Sequence, residues 1–124
     1  MSAPIQTEEL FLLAEKAYRR AQSGVKGDYK QAADWYRKAA ERGFSRAQQK
    51  LGVMYWLGQG VEQDYVTAYK WLGLVESKES RQAVQRLSSL MTAGQIAEAK
   101  HQITVFLARP KVGLSQKEGP QPSP

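Results

Sequence analysis

The chain has 124 residues, 42% of them hydrophobic, which is enough for one domain with a continuous core, and a formal charge of +6 that suits an anionic partner or simple solubility. With no cysteine it excludes disulfides, thiolate metal sites and cysteine nucleophiles. The basic excess is local: residues 1 to 15 carry −3, residues 16 to 50 hold ten Lys or Arg against three acids, and the rest carries +2.

The opening MSAPIQTEELFLLAEKAYRR has acids where a secretion leader needs basic residues, and no segment approaches the roughly 20 apolar residues that cross a bilayer. A chain read as full length is therefore expected in the cytoplasm. Leu10, Leu13, Ala14, Ala17, Tyr18 and Ala21 recur at helical spacing and predict a first helix over about 8 to 22, with Thr7 as N-cap and Gly24 as the stop. Asp28 is expected to cap a second helix through Ala32, Trp35, Tyr36, Ala39 and Ala40, ended by a left-handed Gly43. Ser45 and Gln48 have capping-box form for a third helix through Ala47, Leu51, Met54 and Tyr55, which stops at Gly58 and Gly60.

Asp64 then caps a fourth helix through Ala68, Trp71, Leu72 and Val75, fraying near Ser77, with Gly73 tolerated inside it if a neighbouring helix comes close. A fifth helix carries Ala83, Leu87, Leu90 and Met91. The pair Thr92 and Gln95 opens a sixth, with Ile96, Ala99, Ile103, Phe106 and Leu107, ending before Pro110. No period-2 run survives between these blocks, so no strand is expected. The division is a helical domain over 1–108 and a Pro/Gly-rich tail over 109–124, expected to be disordered.

Gly24 to Leu51 reads again from Gly60 to Leu87, a period of 36 residues that repeats Gly24/Gly60, Asp28/Asp64, Tyr29/Tyr65, Ala32/Ala68, Trp35/Trp71 and Leu51/Leu87. Such a period marks stacked units that each bury their apolar face only against neighbours. The blocks DYKQAADWYRKAAERG, AQQKLGVMYWLGQGVEQDY and AYKWL resemble the Sel-1-like repeat family, a tetratricopeptide-like group. Ala47, Leu51, Gly52, Tyr55, Gly58, Gly60, Val61, Asp64, Ala68 and Trp71 fill its pattern, and Val25 to Gly43 fill the second half of a preceding unit. The resemblance implies an all-α fold, a short right-handed α-solenoid of about three antiparallel helix hairpins. It also implies a protein-binding scaffold, since members are mostly adaptors and rarely catalytic.

Residues that recur with the period, such as Trp35 and Trp71, read as core. The aperiodic surface is left for function. On the third helix Gln49, Val53 and Trp56 lie opposite Ala47, Leu51, Met54 and Tyr55, and the first helix of each hairpin lines the concave groove in tetratricopeptide-like stacks. The partner-binding candidates are therefore Leu12, Lys16 and Arg19, then Gln49, Val53 and Trp56, then Gln85 and Ser89. Trp56 has the character of a binding hot spot; the bland alternative packs it on a neighbouring helix or under the tail.

A second surface is a basic strip of Arg20, Lys30, Arg37, Lys38, Arg42, Arg46 and Lys50, for nucleic acid or an acidic partner, against a reading as a merely solvated face. Nucleic acid is the weaker case, because no aromatic-interleaved RNA motif accompanies the charges. Gly58-Gln59-Gly60 lacks the Gly-Lys-Ser/Thr ending of a phosphate loop and reads as a turn. His101, the single histidine, has no sequence partner for a metal cluster or a nucleophilic triad. The expectation is a non-enzyme with no cofactor, metal or small-molecule substrate, acting as an adaptor for a peptide or helix, or alternatively as an immunity-type inhibitor that neutralises a toxin.

Overall fold

The computed structural model describes residues 4–25 and 27–110. Among them six helices run in order: α1 (Thr7–Gln22), α2 (Asp28–Glu41), α3 (Ser45–Leu57), α4 (Tyr65–Gly73), α5 (Lys78–Ser88) and α6 (Ala93–Ala108). No described residue lies in a strand. The chain is a short solenoid of helical hairpins, α1/α2 and α3/α4, followed by α5 and α6, which both pack on α4. Most of the tail expected over 109–124 lies outside the described residues. Arg109, assigned to that tail, is packed on the fold: its guanidinium sits 4.1 Å from the Phe106 ring centroid and donates to the Glu41 carbonyl.

Leu10, Phe11, Ala14, Ala17 and Ala21 form the buried stripe of α1. Leu13, expected in the core, is 39% exposed instead. Phe11 takes its place because Tyr36 and Phe44 converge on that side of the helix, with ring centroids 5.8 and 5.1 Å away. Against this stripe α2 sets Ala32, Ala33, Ala39 and Ala40, all fully buried, and such small side chains let the two helices approach closely. Tyr36 fills what remains and donates its hydroxyl to Glu15 Oε2 at 2.6 Å.

Several caps differ from expectation. Gln6, not Thr7, is the N-cap of α1, with its backbone N–H donated to Glu9 Oε1 at 3.0 Å. Gly27 caps α2, because the Asp28 carboxylate is drawn off to Arg20 Nε at 2.9 Å. Phe44 precedes α3 without a side-chain cap, and Gln48 turns inward to donate to the Ala40 carbonyl at 3.1 Å. Asp64 does cap α4, accepting from the N–H groups of Val66 and Thr67. Helix α4 stops at Gly73, two residues before Val75, so this glycine is terminal rather than interior. Ser77 caps α5 through the Ser80 N–H. Helix α5 ends at Ser88, leaving Leu90 and Met91 in the turn to α6. Thr92 and Gln95 exchange both bonds of a capping box.

Two apolar clusters divide the molecule. The first joins α1, α2 and α3 with Trp71; the second joins Ala68, Tyr69 and Leu72 with Leu87 and Ala99, and Tyr55 packs against both. Two glycines permit close approaches, one within a hairpin and one between hairpins. At Gly52 a methyl group would come within 2.6 Å of Leu72 Cγ, so α3 and α4 meet there backbone to side chain. At Gly60, with φ of +73°, a Cβ would overlap the backbone of Tyr29 in the preceding hairpin. Both α5 and α6 rest on α4, and Phe106 meets Trp71 edge-on at 5.4 Å.

Candidate partner-binding surface

The outward stripe of α3 is built by Arg46, Lys50, Val53 and Leu57, spaced four, three and four residues apart so that they share one side of the helix. Leu57 is 59% exposed and Val53 half-buried. The Arg46 guanidinium lies 4.7 Å from the Phe11 ring centroid and the Lys50 ammonium 5.0 Å from that of Tyr18, so both cations lean onto α1. Neither has a carboxylate within ion-pair distance among the described residues.

Of the eight concave-face candidates, Gln49, Val53 and Trp56 are brought together on α3, Val53 within that stripe and Gln49 and Trp56 on its flank. Trp56 is half-buried against the second apolar cluster, so part of its ring packs on neighbouring helices and the rest remains in solvent. Gln49 Oε1 accepts from Ser77 Oγ at 3.5 Å, a weak tie to the start of α5. On α1, Leu12 is 60% exposed, and Lys16 and Arg19 are exposed, Arg19 lying 3.8 Å from Glu15. Gln85 sits apart, lining a cleft between α5 and α6. Ser89 caps the end of α5 and donates to the Arg86 carbonyl.

The basic residues do not act alike. Arg20 is held by Asp28 and Gln31. Arg37 bonds Asp34 and the Tyr55 hydroxyl, each at 3.1 Å; burial works against its charge, but these partners outweigh it and raise its pKa. Arg42 donates to the Ile5 carbonyl at 2.7 Å and so pins the segment before α1. Lys38 lies 4.9 Å from the Trp35 ring centroid, and Lys30 is exposed. Arg20, Arg37 and Arg42 thus serve the fold, whereas Arg46 and Lys50 face outward with the apolar stripe.

Gly58 and Gly60 both adopt left-handed backbone in the α3/α4 turn, and the Tyr18 hydroxyl donates to Gln59 in that turn at 3.0 Å. His101 is exposed on α6. Among the described residues no His, Cys, Asp and Glu side chains group as a metal site, and no helix is long and apolar enough to cross a membrane. Leu57 was missed in the sequence reading, which stopped the stripe at Trp56. The four-residue step from Val53 was the available signal.

Stacked hairpins with an open, mixed apolar and cationic face define an α-helical repeat protein of the solenoid class, whose repeats generally serve as protein-interaction modules. More than half of the chain, residues 10–44 and 45–74, matches the Sel1 repeat, and the chain belongs to that family. The two matched units coincide with the α1/α2 and α3/α4 hairpins. Among solved structures, the chain is similar to c5321, described as a protective antigen present in uropathogenic Escherichia coli strains and displaying an SLR fold. The two are 30% identical with a TM-score of 0.73. That likeness covers 96% of this chain but 27% of c5321, so the chain spans about a quarter of its length. No curated protein matches the chain.

Proposed function

We propose that the protein is a non-catalytic adaptor that holds a peptide or helix of a partner protein along α1 and α3. The observation that carries this reading is the α3 surface, where exposed Leu57 and half-exposed Val53 and Trp56 lie beside Arg46 and Lys50. An apolar strip flanked by two cations without carboxylate partners among the described residues suits an amphipathic segment that carries acidic residues. Arg19 and Leu12 on α1 extend the same type of surface.

Family membership supports the class of function. Within this proposal the protein works in the cytoplasm, and neutralising a toxin as an immunity-type inhibitor is the alternative role of the same surface. A nucleic-acid partner fits less well, because Arg20, Arg37 and Arg42 of the proposed basic strip are engaged within the fold.

The test is quantitative partner capture from cell extract, comparing the wild type with a Trp56→Ala, Val53→Ala, Leu57→Ala variant and with a Arg46→Glu, Lys50→Glu variant. Each variant is expected to lose a shared set of captured proteins by at least about tenfold. Unchanged capture by both would move the site off this surface.

A further inference from the structure

The two ends of the stack carry complementary surfaces. At the first end, α1 turns a row of side chains outward, Glu9, Leu12, Leu13 and Lys16, at steps of three, one and three residues, and with Ile5 they border a shallow open depression. Ile5, Leu12 and Leu13 are 43, 60 and 39% exposed, an apolar ridge with the acids Glu8 and Glu9 at its start. At the other end, α5 and α6 meet near their turn, where Leu87, Met91, Ile96 and Ala99 join one cluster. They then open into a cleft of about 390 Å³ with α4 as its floor. Leu72, Val75, Val84 and Ile103 line the cleft, and its charged members, Arg81 and Lys100, are both cations. Neither has a carboxylate within ion-pair distance among the described residues.

We propose that a second copy of this chain docks head to tail, the α1 ridge of one copy lying in the α5/α6 cleft of the next, with Glu8 and Glu9 beside Arg81 and Lys100. The docking buries apolar surface that each end alone leaves in water. The charges disfavour cleft on cleft, which sets Arg81 and Lys100 against like charges. Because the two surfaces differ, the contact is heterologous and propagates unless its rotation closes a ring.

Sedimentation velocity of the full chain over a broad concentration series tests the docking. The average mass is expected to rise with concentration past that of a dimer, and to fall as salt is added. Glu9→Lys with Leu13→Asp disables the ridge; Arg81→Glu with Lys100→Glu disables the cleft. All four residues are exposed, so circular dichroism should show both variants folded. Each alone is expected to be monomeric, with association weakened at least about tenfold. Their mixture is expected to give a 1:1 complex that does not grow, because each keeps one intact end. A wild type that stays monomeric at every concentration would overturn the docking, as would a mixture without a 1:1 complex. Arg81 and Lys100 lie outside the α1 and α3 surface proposed for partner capture, so the cleft variant, read both by sedimentation and by capture, lets either proposal fail while the other stands.

Discussion

The Tyr36 hydroxyl is fully buried and bonded to Glu15, and burial first, then the hydrogen bond and charge of Glu15, push its pKa well above the ordinary value of about 10. Above pH 10 the unfolded chain releases this proton while the folded chain retains it. Stability is therefore intact below that pH and declines as pH rises beyond it, by about 1.4 kcal/mol per pH unit from this group. Tyr36→Phe should cost about 1–3 kcal/mol at neutral pH, because it deprives a half-buried carboxylate of its donor. The variant should also lose this part of the alkaline decline, which urea unfolding at stepped pH would measure. An unchanged alkaline slope would mean that the hydroxyl titrates equally in both states. At this scale the sequence was a partial guide to the site. It marked Trp56 as off the main core face and left packing on a neighbouring helix as the alternative, but not which residues lie beneath the ring, since that cluster is assembled from α4, α5 and α6 at a distance along the chain.

At the scale of helices, the repeat pairs Asp28 with Asp64, yet only Asp64 caps. Its carboxylate takes the N–H groups of Val66 and Thr67, while that of Asp28 takes Arg20. Asp64→Ala should therefore lower stability by about 1 kcal/mol, up to about 2. Asp28→Ala should cost less than that, about 0.5 kcal/mol, as the loss of a partly exposed ion pair. Thermal melts of the two variants give the comparison, and equal losses would show that Asp28 also stabilises its helix start. Helix number and order were legible because apolar spacing and glycine turns are local signals. The lost caps at Asp28 and Ser45 were not, because Arg20 takes the Asp28 carboxylate and the Ala40 carbonyl takes Gln48, the partner of Ser45 in the expected capping box, through contacts between elements. For the same reason Leu13 and Phe11 exchanged roles: periodicity puts both near the apolar side, and the arrival of Phe44 decides between them.

Across the whole molecule, burial is graded from front to back. Helix α2 buries five apolar residues, whereas the buried residues of α5 are Ser80 and Leu87, and that of α6 is Ala99. Stability in stacked repeats is close to a sum of unit and neighbour terms, so it should be uneven along the chain. Amide hydrogen exchange is expected to be slowest in α2 and α3 and faster in α5 and α6. Uniform protection would instead indicate one cooperative unit. Head-to-tail docking would bring the last hairpin closer to the others, so dilute and concentrated samples should differ there first.

Gly60 gives the stack a property of another kind. With its backbone set against that of Tyr29, the turn of one hairpin rests directly on the first turn of the preceding unit's second helix, with no side chain between them. The angular step from one unit to the next is therefore fixed by two stretches of main chain, which cannot change rotamer or shrink by mutation. Side chains on α1 and α3 can vary to suit different partners while the spacing between those helices is conserved by this hard stop, so specificity and pitch are set by separate parts of the same repeat.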